Sequence, residues 1–422
     1  MTPPDTSLIR RLGVADATVI GIGSMVGAGV FVVWAPAAEA AGTALLIGLV
    51  IAAVVAVCNA SSAAQLAAVH PESGGTYVSA GRELGGIWGF AAGGSFIVGK
   101  LASCAAGALA LGAYLWPGHE RVVAVAAIVV ITAVNLGGLS RTIRVTMMIL
   151  VVSCVAFGLV VASAALDRTT TAGALSTESV GDALRSVGPT GVLESAGLLF
   201  FAFAGYARIA TLGEEVRDPS TTIMRAVPLA LGAVLVIYAL IAVSTLAALP
   251  IETLIADRVP LRSVVEQGPL SAFAPMIGLA AATAAFGVLL NLVPGISRTV
   301  LAMARQHDLP VWWASVSPTR SLPVRAEVST ATVAIALVLA TDLRGSIALS
   351  GVAVLWYYAL TNAAALRLGS DRRRWPIGFA VVGLIGCVVL AFSLPLASIL
   401  LAAGALAAGL TVRTLSRAAA GR

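Results

Sequence analysis

Apolar runs of about twenty residues follow one another along the chain from residue 16 to residue 412, separated by short polar segments. A run of that length crosses the hydrocarbon of a bilayer as one α-helix. Lipid offers no partner to open backbone, so each crossing segment must close its own hydrogen bonds. Twelve spans are read this way: 16–40, 43–69, 86–114, 121–139, 145–166, 191–213, 226–249, 272–301, 327–341, 345–368, 376–393 and 395–412. The runs are rich in Ala, Leu and Val and lack alternation of period two, which excludes strands. Composition points the same way. With 59% hydrophobic and 11% charged residues, the chain can neither cover a water-soluble surface nor stay solvated without folding. The expectation is an all-α polytopic membrane protein with twelve transmembrane helices.

The basic residues give the orientation. They comprise 25 Arg and a single Lys, Lys100, and the net charge is +6. With the N-terminus inside, eighteen of them fall in inner segments. Only Arg121, Arg168, Arg185, Arg258, Arg262 and Arg344 fall in outer ones. That bias predicts both termini in the cytoplasm, in the cell membrane. The surplus concerns topology and anionic lipid rather than nucleic acid, and the Arg372–Arg374 run reads as an anchor. The Arg10–Arg11 pair is a cytoplasmic anchor too, without a cleavable signal pattern around it. Cys58, Cys104, Cys154 and Cys387 lie in apolar runs and imply no disulfide framework. His70, His119 and His307 fall in or beside loops and form no metal-ligand pattern. No nucleophile–base set or phosphate loop is visible either, so an enzyme is not expected and no cofactor is implied.

Two spans are interrupted. The first carries glycines at 23, 27 and 29, and the sixth carries Phe203-Ala204-Gly205-Tyr206-Ala207. If spans 1–5 and 6–10 repeat one unit, the odd number inverts the second copy, an architecture in which substrate binds where the helices break. A half-helix starting near Val30 would aim free N–H groups and a positive dipole end at a carboxylate. Carbonyls of an unwound Phe201–Ala204 stretch would accept from an ammonium, with Phe200, Phe201, Phe203 and Tyr206 closing over the substrate. Glycine density alone fits close packing through Gly23-x-x-x-Gly27 equally well, and the aromatic group alone fits a packing cluster.

These segments resemble a known family. The runs GIGSMVGAGVF at 21–31 and PESGGTY at 71–77 are similar to motifs of amino acid–polyamine–organocation transporters. So are FFAFAGYARIATLGEEVRDPSTTI at 200–223 and GISRTVLAMARQHDLP at 295–310. The resemblance implies a leucine-transporter-type fold, two inverted five-helix repeats plus two C-terminal helices. It divides the chain into a cytoplasmic segment 1–15, a first repeat 16–166, an outer loop 167–190, a second repeat 191–368, two last spans 369–412 and a tail 413–422. It further implies that Val26, Gly27, Ala28 and Gly29 form the carboxylate-binding turn, with Gly23 also in the substrate site. Phe201, Ala202, Phe203 and Ala204 take the amino-group and side-chain contacts, and Phe203 or Tyr206 serves as a gate.

One departure from the family pattern matters. The fifth-span Lys that stands in for sodium in cationic-amino-acid members falls here on Ser153, so that mechanism does not transfer and a sodium site at the Ser153 hydroxyl stays open. Lys100 instead sits midway along the third span. A charge at that depth is a functional candidate by default: a proton carrier, a reader of a substrate carboxylate, a stand-in for a bound cation, or a structural donor to broken-helix carbonyls. Arg208 lies just past the sixth-span break and is two helical turns from Glu215, which predicts an inner-gate or anchoring ion pair. With no acid near either break, the expected cargo is a small neutral amino acid, carried by alternating access with proton coupling or exchange. The alternatives are a carrier of an ethanolamine-like amine, or a channel or sensor on the same fold. Lipid bilayer and cargo are the expected partners; oligomeric state is not readable.

Overall fold

The apolar runs fold as helices. A computed structural model of the chain describes residues 12–70, 75–137, 143–167, 180–206, 216–317 and 322–419. The first span is α1 (Val14–Met25), α2 (Ala28–Val32) and α3 (Trp34–Ala41), and the second is α4 (Leu45–Val69). A short interfacial helix, α5 (Thr76–Glu83), leads into α6 (Gly86–Leu115), α7 (Glu120–Leu136) and α8 (Ile143–Leu166). Next come α9 (Val180–Phe203), which ends in a 3-10 turn at Ala204–Tyr206, and α10 (Pro219–Ala248). Two short helices, α11 (Ile251–Ala256) and α12 (Pro260–Gln267), precede α13 (Ala274–Arg305). The chain closes with α14 (Val324–Ala340), α15 (Leu343–Leu366), α16 (Ile377–Ser393) and α17 (Leu396–Ala419).

Among the described residues, nine segments are long and apolar enough to cross a membrane. The other expected spans, 121–139, 327–341 and 376–393, coincide with α7, α14 and α16, each of 17 residues. That length lies at the lower edge of what a bilayer requires. Inside α9, Gly188 takes φ +66° and Pro189 follows, so a short leading stretch is set off from the span proper, which begins close to the expected residue 191. Large apolar side chains face outward in helical register, as Val50, Val54 and Val57 do on α4, where hydrocarbon covers them. Inward faces are built from small residues such as Ala102, Ala105 and Ala106 of α6, which let helix axes approach closely. The centre of the bundle is α6, packed against α13 and α15.

Polar ties hold the two ends of the bundle, and they sort the loops into the two sets that the charges predict. At one end Arg258 pairs with Glu120 at 2.6 Å, and Arg344 bridges Glu39 and Glu194. At the other end His70 pairs with Glu83 at 2.9 Å, Thr76 bonds Thr361 at 2.9 Å, and Leu12 forms a β-bridge with Val216. Asp308 dominates this second end. His307 turns the chain off α13 in a left-handed conformation, φ +59°. That turn sets Asp308 between Arg413 at 2.8 Å and Arg417 at 2.9 Å of α17, with the Tyr77 hydroxyl of α5 donating at 2.8 Å. Burial and the neighbouring carboxylate push the Tyr77 phenol above its ordinary range, so it remains the donor.

The Asp308–Arg413 pair is nearly sealed, with side-chain exposures of 3% and 9%. Removing one partner of a buried pair leaves the other uncompensated and costs about 3–5 kcal/mol. Asp308→Ala is therefore expected to lower the melting temperature of the detergent-purified protein sharply. An unchanged melting curve would show that the tie carries no stability.

Candidate functional site

The first break begins where Val26 leaves helical geometry at φ −76°, ψ +67°, and Gly27 continues extended. The helix restarts at Ala28, two residues before the expected Val30. Val33 stays right-handed between α2 and α3. Pro36 follows in the first turn of α3 and has no N–H to give the carbonyl of Val32, four residues earlier. Gly23 does not belong to the break; it is helical within α1. Gly29 is helical too, and its value is space, because a Cβ there would come within 2.9 Å of the Phe201 ring. At Gly27 a Cβ would meet Val288 of α13 at 2.6 Å.

The second break is shorter than the sequence suggests. Phe201, Ala202 and Phe203 remain helical, and the chain tightens into the 3-10 turn only at Ala204. The unwound Phe201–Ala204 stretch is thus corrected to Ala204–Tyr206, because the Phe side chains are held by packing. Phe200 meets Tyr358 edge-on at 5.8 Å and Phe203 meets Tyr238 at 5.0 Å. Gly205 lies directly on the Ser24–Met25 backbone, so close that any side chain would collide with the Ser24 carbonyl. The two interruptions therefore touch.

Side chains from other helices reach the freed carbonyls. The Tyr238 hydroxyl of α10 lies 2.8 Å from the Met25 carbonyl and 2.9 Å from that of Ala202, offering its proton to both interrupted spans. The Ala204 carbonyl receives Lys100 Nζ at 3.4 Å and the Tyr358 hydroxyl at 3.5 Å. Lys100, midway along α6 as expected, also stands 5.9 Å from the centre of the Phe96 ring. Tyr206 stacks on Tyr358 at 4.9 Å, and the Tyr114 hydroxyl of α6 donates to Phe31 of α2 at 3.0 Å. Ser153 of α8 is fully buried, and its hydroxyl has no hydrogen-bond partner among the described residues. Arg208 and Glu215, the expected inner pair, lie outside the described residues.

Sequence reading missed Tyr238, Tyr358, the Ser103–Ser350 bond at 2.8 Å between α6 and α15, and the Arg344 bridge. A usable signal existed for the first. A buried Tyr in a span has to place its hydroxyl, and Tyr238 is the sole Tyr of its apolar run. Glu194, in the span that ends at the second break, pairs with Arg344 at 3.1 Å and keeps a quarter of its side chain exposed.

Spanning helices whose interruptions meet inside the bundle define a membrane transport protein. The comparisons agree. The family model described as amino acid permease matches residues 12–411, so the chain belongs to that family. An uncharacterized transporter of Mycobacterium tuberculosis is 51% identical over 409 residues, covering 97% of this chain and 91% of the relative. The branched-chain amino acid permease of Bacillus subtilis is 24% identical, over 76% of this chain and 73% of its own. A chloroplastic cationic amino acid transporter of Arabidopsis thaliana is 26% identical, over 85% and 65%. The chain is a multi-pass membrane transporter and not an enzyme.

Tyr238→Phe removes the hydroxyl shared by the two interruptions; the Met25 carbonyl keeps the Gly27 N–H at 2.8 Å, while the side-chain bond to the Ala202 carbonyl is lost, at about 1 kcal/mol or more. The variant is expected to melt several degrees below the wild type in detergent and to lose transport in liposomes. Wild-type values in both assays would show that the breaks do not depend on this bond.

Proposed function

We propose that the protein carries a small neutral amino acid across the cytoplasmic membrane by alternating access, with both termini in the cytoplasm. The observation that carries this reading is the contact of the two breaks, Gly205 against Ser24–Met25, with the Lys100 ammonium on the Ala204 carbonyl. Such a site grips a substrate through backbone: N–H groups at the restart from Ala28 suit a carboxylate, and carbonyls at Ala202–Ala204 suit an amino group. Gly27, Ala28 and Gly29 would take the carboxylate end, and Phe201 and Phe203 would border the side chain. A fixed cation beside the second break disfavours a second positive charge on the substrate. This supports a neutral cargo over the cationic one named for the Arabidopsis relative. Spans 1–5 and 6–10 act in this scheme as two inverted repeats, with the last two helices flanking them.

Proton coupling or exchange is the preferred drive, with Lys100 as the group that changes partner when the breaks separate. Sodium at Ser153 is the competing drive, and its buried hydroxyl supports keeping it in the test. A thermal-shift screen of the purified protein against amino acids and amines comes first, followed by flux of the hits into liposomes under imposed proton or sodium gradients. Neutral amino acids are expected to stabilise the protein and to show counterflow. A shift with amines alone, conductance without saturation, or binding without flux would overturn the reading. Lys100→Gln and Lys100→Ala are expected to abolish the pH dependence of uptake; full, pH-dependent uptake by both would end the role of Lys100 in coupling.

Arg344 of α15 joins Glu39 at the end of α3 to Glu194 of α9, so the outer halves of both interrupted spans are held to a third helix. This bridge acts as the outer gate in its closed position. In a cysteine-free background, Arg344→Gln is expected to speed labelling of Ala40→Cys by an impermeant maleimide several-fold. An unchanged rate would show that the bridge does not gate access.

A further inference from the structure

Away from the breaks, a groove opens toward lipid between α6, α13, α14 and α17. Its cavity of about 190 Å³ is walled by Ile97, Leu101, Val300, Met303 and Leu406, and it reaches the surface past the exposed Val333 and Ala405. The few polar atoms of the wall are turned to protein partners. Trp313 Nε1 donates to Ser329 Oγ at 3.0 Å, and Thr330 Oγ1 donates to the Ala326 carbonyl at 2.8 Å. Water gains little in such a space, and an empty one forfeits dispersion contacts. Hydrocarbon fits it.

The edge of the groove is basic. Its walls come from the N-terminal halves of α6 and α14, the C-terminal half of α13 and the middle of α17, so it runs from the middle of the bundle toward the end that holds the Asp308 tie. Arg325, next to the lining residue Ala326, is exposed and rests 5.3 Å over the Trp312 ring. The Arg413 guanidinium lies 5.4 Å over Phe90, another lining residue, and Arg417 follows one helical turn later. Arg413 and Arg417 share the Asp308 carboxylate, and the exposed Arg325 stands apart from it over Trp312. The Trp312–Trp313 pair, centroids 6.0 Å apart, belongs at headgroup depth.

We propose that this groove binds one anionic phospholipid of the surrounding bilayer, an acyl chain inside it and the phosphate facing Arg325 and Arg417. The site is independent of the substrate reading, since it shares no residue with the breaks. A bound lipid bridges α6, which carries Lys100, to α14 and α17 at the lining residues of those helices.

Native mass spectrometry of the delipidated full-length protein tests this with dioleoyl phosphatidylglycerol and dioleoyl phosphatidylcholine at equal concentration. The wild type is expected to retain one phosphatidylglycerol in preference to phosphatidylcholine. Arg325→Gln should weaken phosphatidylglycerol about fivefold, the contribution of one basic side chain near a lipid surface, and leave phosphatidylcholine unchanged. Val333→Trp, which fills the mouth from an exposed position, should remove the retained lipid, while Arg225→Gln on the distant α10 should change nothing. Equal retention of the two lipids by the wild type would overturn the proposal. A phosphatidylglycerol adduct that survives both Arg325→Gln and Val333→Trp would do the same.

Discussion

A backbone opened in the middle of a membrane must find its partners inside the protein, and much of this structure follows from that one requirement. The interruptions after Met25 and at Ala204 free carbonyls where neither water nor lipid can be relied on to bond them. They are served by Tyr238 of α10, Tyr358 of α15 and Lys100 of α6, one donor from each of three helices. Any movement that parts the breaks has to exchange these bonds for others. In the proposed function a bound solute with its own donors and acceptors supplies that replacement.

The position of α6 gives this linkage reach. It carries Lys100 on the second break and Tyr114 on the first, and it bonds α15 through Ser103. Its N-terminal end packs on α5, whose Tyr77 joins the Asp308 tie. One helix therefore touches both interruptions, the scaffold helix α15 and the cluster at one membrane face. The proposed function puts substrate in the first of these regions.

The sequence made some of this visible and hid the rest for physical reasons. Spans set by apolar length alone were legible nearly to the residue: 86–114 became Gly86–Leu115, and 376–393 became Ile377–Ser393. Lys100 stood out because it is the single Lys at membrane depth. The breaks were legible as regions but displaced in detail. Glycine content marks where a chain can leave a helix, whereas the residue that does leave is set by what packs on it, as Phe201 against Gly29 and Gly205 against Ser24 show. Tyr238 was hidden inside an apolar run. Arg344 and its two acids were hidden by separation, since Glu39 and Glu194 lie in different interrupted spans and only the fold brings them to one guanidinium.

The two ends of the bundle are fastened differently. The Arg344 bridge has side-chain exposures of 33% for the arginine and 44% and 25% for its acids, whereas Asp308 and Arg413 are nearly closed off. Mobile ions screen exposed charges within a distance of about 8 Å at physiological ionic strength and reach buried ones far less. The bridge at the Glu39–Glu194 end is thus the one whose strength tracks the salt of the medium bathing it, while the buried Asp308–Arg413 pair at the other end is screened far less. The molecule carries a built-in asymmetry between a fastening tuned by its surroundings and one insulated from them.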